Sequence, residues 1–288
     1  MHGVVNINKP SGWTSFETVR RVSKLSGSKA GHCGSLDPAA TGVLLVLTGE
    51  ACKASDLFMR SSKTYRAVLR LGYESSTLDS DGEISKKDVF HGSEEAVSEA
   101  LKSFLGRYSH RVPALSAKKH RGRKFYEIAR KGGEPPVRIQ ESVISGIRLL
   151  GYNPPDAHIE VGCTSGTYIR ALAVDIAQKL GTCGYLKSLE RTAVGSFGIK
   201  DSCGPFEDDW EKGFLEIGDA LRFFPHAVLN RRASGHTANG GIFTIKDIEE
   251  HSGNLNGNVF VVFSREMIPV ALAEGCGKVF RPKRVFNL

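Results

Sequence analysis

Apolar and polar positions alternate along this chain in two distinct periods. Val4 to Asn8 reads as a short strand closed by the turn chemistry of Lys9-Pro10-Ser11-Gly12. Thr14 and Glu17 have the spacing of a capping box. Phe16, Val19, Val22 and Leu25 then predict one apolar helical stripe. Gly31 to Pro38 reads as a loop, because the residue before a proline is pushed out of the helical region. The unbroken apolar run Val43 to Leu47 predicts a buried strand. From Thr64 to Leu71 the period is two, with Tyr65, Ala67, Leu69 and Leu71 on one face and Arg66 and Arg70 on the other.

Asp81-Gly82 marks a turn. Ser93 to Leu105 predicts an amphipathic helix with Val97, Leu101, Phe104 and Leu105 inward and Gly106 as its stop. Ser142 to Leu150 and His158 to Cys163 read as strands. Thr167 is expected to cap a helix whose core face is Ile169, Leu172, Ala173, Ile176 and Leu180, stopped by Gly181, with Arg170 off that stripe. After a linker-like region around Phe224–Asn230, short runs such as Val259–Phe263 and Pro269–Ala273 lie between glycine-rich turns. They predict a small β-rich module.

Composition narrows the class. The chain has 288 residues and 40% apolar content, enough for one sizeable core or a larger domain and a small one. No apolar run is long enough for a membrane span, and Met1 to Val5 runs straight into a strand, so no secretory signal is expected. The six cysteines form no CxxC pair. Reduced thiols are expected, with no disulfide scaffold and no zinc.

The net charge of +8 suggests a polyanionic partner. From Arg107 to Lys131 there are nine Lys or Arg and one acid, Glu127, an excess equal to that of the whole chain. Such a stretch is either a phosphate-binding surface or a solvated basic loop. Asp37, on a glycine-bounded loop between a helix and a buried strand, is either a plain turn residue or a carboxylate presented to a substrate. By residue type alone, Arg170 is a surface arginine, Tyr65 a packed strand tyrosine and His32 a loop histidine.

Five stretches decide among these readings. Gly31-His32-Cys33-Gly34-Ser35-Leu36-Asp37-Pro38-Ala39-Ala40-Thr41-Gly42-Val43-Leu44 resembles the GHxGxLDPxATGxL signature of the bacterial TruB family of pseudouridine synthases. In the family's order, Asn8-Lys9-Pro10-Ser11-Gly12-Trp13-Thr14-Ser15 resembles KPxGxTS, and Lys63-Thr64-Tyr65-Arg66-Ala67 resembles the motif of a base-stacking tyrosine. Val112 to Lys119 resembles the start of an RNA-gripping insertion, and Gly166-Thr167-Tyr168-Ile169-Arg170 resembles GTYIR. The match runs from Gly3 to about Gly195, and more weakly to Leu288.

The resemblance implies an α+β fold: a mixed, largely antiparallel central sheet flanked by helices. It implies a catalytic domain over 1–228, an insertion over about 107–140, and a PUA-like RNA-binding domain over 229–288. It further implies isomerisation of uridine 55 in the T arm of tRNA. Asp37 would be the catalytic carboxylate, nucleophile at the sugar or base for glycal formation. Arg170 would be its cationic partner, and Tyr65 would stack on the base and suit late proton transfer. His32, Lys9, Lys118, Lys119, Arg121, Arg123 and Leu189 would contact RNA. No cofactor, metal, membrane or protein partner is implied. A cytoplasmic monomer is expected.

Two positions depart from the pattern. Asn8 stands where the family often has aspartate. Leu189-Glu190-Arg191 stands where it usually has Leu-Arg-Arg, so Glu190 removes a positive charge. The competing readings are a guide-dependent synthase, which dispenses with the segment beginning at Val112, and a noncatalytic RNA-binding or RNA-folding protein. The latter would have no use for Asp37, Tyr65 and Arg170 together. A small-molecule enzyme is more distant, since no phosphate loop or cofactor motif is present.

Overall fold

The computed structural model describes residues 1–206 and 209–288, apart from the side chain of Cys276. The chain divides into two compact units. One comprises Met1–Asp37, Val43–Arg60 and Ser196–Leu288; the other comprises Pro38–Gly42 and Ser61–Gly195.

In the first unit the strand Gly3–Lys9 pairs antiparallel with Phe214–Glu216. The short strand Ala30–His32 pairs antiparallel with Thr41–Thr48, whose first two residues belong to the other unit. The helix Ser15–Ser26 carries the expected cap: the Thr14 hydroxyl accepts from the Glu17 amide at 3.1 Å, and the Glu17 carboxylate accepts from the Thr14 amide at 2.7 Å. Its buried positions are Ser15, Thr18, Val19 and Val22, of which Val19 and Val22 pack with Val5, Ile7, Leu44 and Val46. Phe16 is not among them and is 71% exposed. A stripe spaced strictly by three drifts round a helix of 3.6 residues per turn, so its first member falls off the core face.

A six-stranded sheet completes this unit, in the order Phe243–Thr244, Val279–Val285, Pro269–Cys276, Val259–Phe263, His226–Leu229, Ile248–Ser252. The linker expected around Phe224–Asn230 is therefore a strand with neighbours on both sides. Ala227 and Leu229 are fully buried in its core. The boundary expected at 228/229 falls inside this strand. The final residues dock on the turn 49–54, where Lys53 Nζ donates to the Val285 carbonyl at 2.8 Å and the Asn287 amide to Glu50 at 2.7 Å.

The second unit is built on a five-stranded antiparallel array: Gly184–Val194, Lys63–Leu71, Asp156–Cys163, Ile139–Asn153, Gly106–Arg111. Thr41 and Gly42 add a short parallel pairing to Glu190 and Arg191. This makes the sheet mixed and largely antiparallel, as expected. The alternation from Thr64 to Leu71 is realised within the strand Lys63–Leu71: Tyr65, Ala67, Leu69 and Leu71 are buried, while Arg66 is exposed. The helices Glu94–Lys102 and Ile169–Lys179 pack on the array. The first stops earlier than its stripe suggests, and Leu105 is 49% exposed.

The second helix begins after Tyr168. Thr167 does not cap it; its hydroxyl donates to the Thr164 carbonyl at 2.9 Å. Residues 107–111 lie in the sheet, so the segment that leaves it is 112–138. No helix among the described residues is long and apolar enough to cross a membrane.

Candidate active site

In the first unit the loop before Asp37 is pinned by backbone hydrogen bonds. His32 ends the short strand opposite Val46, half-buried, and the Cys33 amide donates to the Leu45 carbonyl at 3.0 Å. Gly34, at φ +89°, lets the chain turn where a side chain would be strained. Leu36 is then held from both sides by one hydroxyl: its amide donates to Ser15 Oγ at 2.8 Å, and Ser15 Oγ donates to its carbonyl at 3.1 Å. Both residues are buried. Asp37 follows directly, half-buried and biased to extended backbone by Pro38. Ser15 thus explains the last position of the KPxGxTS motif, a role the sequence did not reveal.

Lys9 is fully buried. Its ammonium donates to the Pro10 carbonyl at 2.9 Å and the Trp13 carbonyl at 2.7 Å. It braces the turn that leads into Ser15 and does not present its charge to solvent. Asn8 is exposed.

The other expected residues stand in the second unit. Arg170, in the first turn of Ile169–Lys179, is only 4% exposed. Its Nη2 donates to the Leu115 carbonyl at 2.9 Å and its Nη1 to the Thr77 carbonyl at 3.3 Å, while Nε lies 3.5 Å from the Asp79 carboxylate. Asp79 also accepts from the Asp81 amide at 3.1 Å and from the Thr77 hydroxyl. A buried guanidinium is costly unless its donors are satisfied, and these carbonyls and the Asp79 carboxylate contribute to offsetting that cost. Arg170 is therefore not the surface arginine its residue type suggests. Asp79 was missed because Asp81-Gly82 alone read as turn chemistry.

Tyr65 is 8% exposed and sits in register between Val161 and Arg191. Arg191 is 1% exposed and Lys63 5% exposed, with the Lys63 ammonium donating to the Ser61 carbonyl at 2.7 Å. With Arg170 these are the buried cations of this unit, and buried charges mark functional candidates. Gly42, at φ +101°, lies against Arg191: a Cβ there would come within 2.2 Å of the Arg191 carbonyl oxygen. The glycine of the ATG motif is thus fixed by close backbone approach. Leu189 lies opposite Ala67, half-buried, and Glu190 stands between Arg66 and Thr41.

A polar aromatic cluster backs the Gly166–Arg170 turn. The Tyr168 amide donates to His110 Nε2 at 3.4 Å, His110 stacks on Tyr108 with centroids 4.6 Å apart, and the Tyr108 hydroxyl donates to Asp175. Burial pushes the Tyr108 phenol far up, helped by the Asp175 hydrogen bond, so it stays a donor. Burial pushes the His110 imidazole down despite the pull of Asp175, which favours the neutral ring and its acceptor nitrogen.

The segment 112–138 is anchored by Phe125, 1% exposed, against a cavity of about 500 Å³ lined by Leu78, Val112, Pro113, Leu115 and Ala171. From that anchor the strands Lys119–His120 and Arg123–Lys124 form a hairpin turned by Arg121 at φ +48° and Gly122 at φ +81°. Lys119, Arg121 and Arg123 are exposed; Lys118 donates to Gln140 at 3.0 Å.

Among the described residues no group of three or more His, Cys, Asp or Glu is placed to hold a metal ion. Cys33, Cys52, Cys163, Cys183 and Cys203 form no disulfide; the side chain of Cys276 lies outside the described residues.

Comparison with known proteins joins these observations. The model of the TruB family pseudouridylate synthase N-terminal domain matches residues 20–169. The tRNA pseudouridine synthase B of Caldicellulosiruptor saccharolyticus is 36% identical over 265 residues, covering 91% of this chain and 90% of that protein. The tRNA pseudouridine synthase B of Aquifex aeolicus is 33% identical, covering 99% of each. Among solved structures, a Cbf5-Nop10-Gar1 complex matches with a TM-score of 0.79 at 24% identity, over 99% of this chain and 85% of that one. A second, an H/ACA RNP bound to a substrate RNA containing 2'-deoxyuridine, matches with a TM-score of 0.78 at 22% identity, over 100% of this chain and 86% of that one. At such identities the structural likeness speaks for the fold alone. The family match, the two curated relatives and the five motifs agree: this chain belongs to the TruB family of pseudouridine synthases, isomerases that act on RNA.

Proposed function

We propose that the chain converts uridine 55 in the T arm of tRNA to pseudouridine, with Asp37 as the catalytic carboxylate. The tRNA substrate comes from its relatives, which are named tRNA pseudouridine synthase B. The observation that carries the assignment of Asp37 is its place directly after a doubly pinned backbone, where a carboxylate is held to a fixed position.

The chemistry asks for little else. The C1′–N1 bond breaks, the base turns over, and a C1′–C5 bond forms. C5 then loses its proton and N1 gains one, so the reaction is balanced without oxidant or cofactor. Asp37 assists either by attacking C1′ or by taking a proton from the sugar. In both cases it must be ionised where water is excluded, and Arg170 is the proposed compensating cation. Tyr65 is proposed to stack on the target base and to assist its late proton transfer. His32 is proposed to fill the space the base leaves. Extruding that base costs a few kcal/mol, offset by stacking and backbone charge contacts.

Lys118, Lys119, Arg121 and Arg123 are proposed to hold the RNA backbone, and Leu189 to border the target base. Lys9 is proposed to act through the turn it braces. The C-terminal sheet is proposed to serve as the PUA-like grip. The enzyme is proposed to work as a cytoplasmic monomer without a protein partner or metal.

Incubating the purified chain with an unmodified tRNA transcript and mapping pseudouridine tests this. One pseudouridine at position 55 is expected; modification elsewhere, or none, would overturn the substrate assignment.

A further inference from the structure

The helix Ser15–Ser26 carries an outward face that the core does not use. Phe16 is 71% exposed, and Arg20 and Lys24 follow it at intervals of four, both exposed. Residues four apart on a helix lie one above the other, so these three side chains form one stripe. A phenyl ring left in water costs the hydrophobic stabilisation that burial would give. Here the neighbouring positions Val19 and Val22 take the core instead.

The stripe's charge is of one sign. The acid in the first turn, Glu17, is engaged by the Thr14 amide and hydroxyl, whose hydrogen bonds hold its carboxyl below the usual range. From Ser15 to Lys29 the chain carries four Lys or Arg and that one acid. The helix is also tied to the reactive loop, because Ser15, the residue before Phe16, holds the backbone of Leu36.

We propose that Phe16, Arg20 and Lys24 form a second RNA-contacting surface. Phe16 would stack on an unpaired base, and Arg20 and Lys24 would track the backbone that leads to the target nucleotide. The proposal rests on the RNA-modifying reading above. An aromatic face beside spaced cations is the combination that single-stranded nucleic acid requires, since every base offers a ring face and every linkage a negative charge. The stripe and the basic hairpin belong to different units.

The test uses the full chain and the unmodified tRNA transcript, with dissociation constants measured across a salt series. Phe16→Ala should weaken binding roughly 5- to 150-fold. Phe16→Trp should restore it, and Phe16→Leu, apolar but unable to stack, should not. Replacing Arg20 and Lys24 together by alanine should reduce the slope of log affinity against log salt by about 1.4 to 1.8. All three positions of substitution are at exposed side chains, so melting temperatures should match the parent. If these variants bind as the parent does while neutralising Lys118, Lys119, Arg121 and Arg123 flattens the salt slope, the surface is not an RNA contact and the RNA reading stands. If the parent itself does not bind the transcript, both are overturned.

Discussion

Removing one buried hydroxyl, in Ser15→Ala, should slow the reaction without touching RNA affinity. Ser15 Oγ makes two hydrogen bonds to Leu36, accepting at 2.8 Å and donating at 3.1 Å, at a site where both residues are buried. Alanine leaves the Leu36 amide without its acceptor. An orphaned buried donor costs about 1–3 kcal/mol. If that energy holds the loop in its pinned position, its loss shifts the balance towards released loops by roughly 5- to 150-fold. The Cys33–Leu45 hydrogen bond continues to restrain the loop, so the fall in turnover should be about tenfold, with the larger figure as a ceiling.

Release of tritium from C5 of labelled uridine reports the chemistry, because C5 loses its hydrogen when it joins C1′. Single-turnover conditions with enzyme in excess keep product release from masking the effect. The expected result is a rate about tenfold lower, a dissociation constant within twofold of the parent, and a melting temperature lowered by roughly 2–4 °C per kcal/mol. A variant that loses thermal stability yet keeps the parental single-turnover rate would refute the idea that this hydroxyl positions Asp37.

Two further outcomes follow from local geometry. Gly42→Ala should destabilise the protein by roughly 2–5 kcal/mol, combining a strained φ with a backbone clash against Arg191; a parental urea midpoint would contradict this. His110 is held below its ordinary value of 6.5, so the unfolded chain binds its proton first as pH falls. Its contribution is complete above about pH 6.5 and is lost as pH falls from there through the folded value. The slope of stability against pH between 7 and 5 should therefore be shallower in His110→Phe, and an unchanged slope would remove His110 from the explanation.

What could be read from the residues depended on how local the determining contacts are. The alternation from Thr64 to Leu71 was legible because each side chain's fate is set by the sheet face it occupies. The Thr14 cap was legible because both partners lie within one turn. Phe16 departs from the expected stripe because a three-residue spacing does not keep to one face of a helix. The strand His226–Leu229 reads as a linker in the sequence because four residues after Pro225 carry no period, and only its neighbours on both sides identify it.

The burial of Arg170 was beyond sequence patterning altogether. Among its partners are Thr77, Asp79 and Leu115, all distant in the chain. Motif resemblance points to Arg170 as a cation beside Asp37 in a dry cleft, but not to the carbonyls of Thr77 and Leu115 that it donates to. In the sequence Ser15 and Gly42 are only motif letters, and the contacts with Leu36 and Arg191 show what each does.

Replacing the Asp37 carboxylate by an amide of the same shape tests the central claim most directly. Asp37→Asn, assayed for tritium release and for binding of the same tRNA transcript, should bind within a fewfold of the parent and show no isomerisation. Isomerisation at the parental rate would mean that the reaction does not run through this carboxylate.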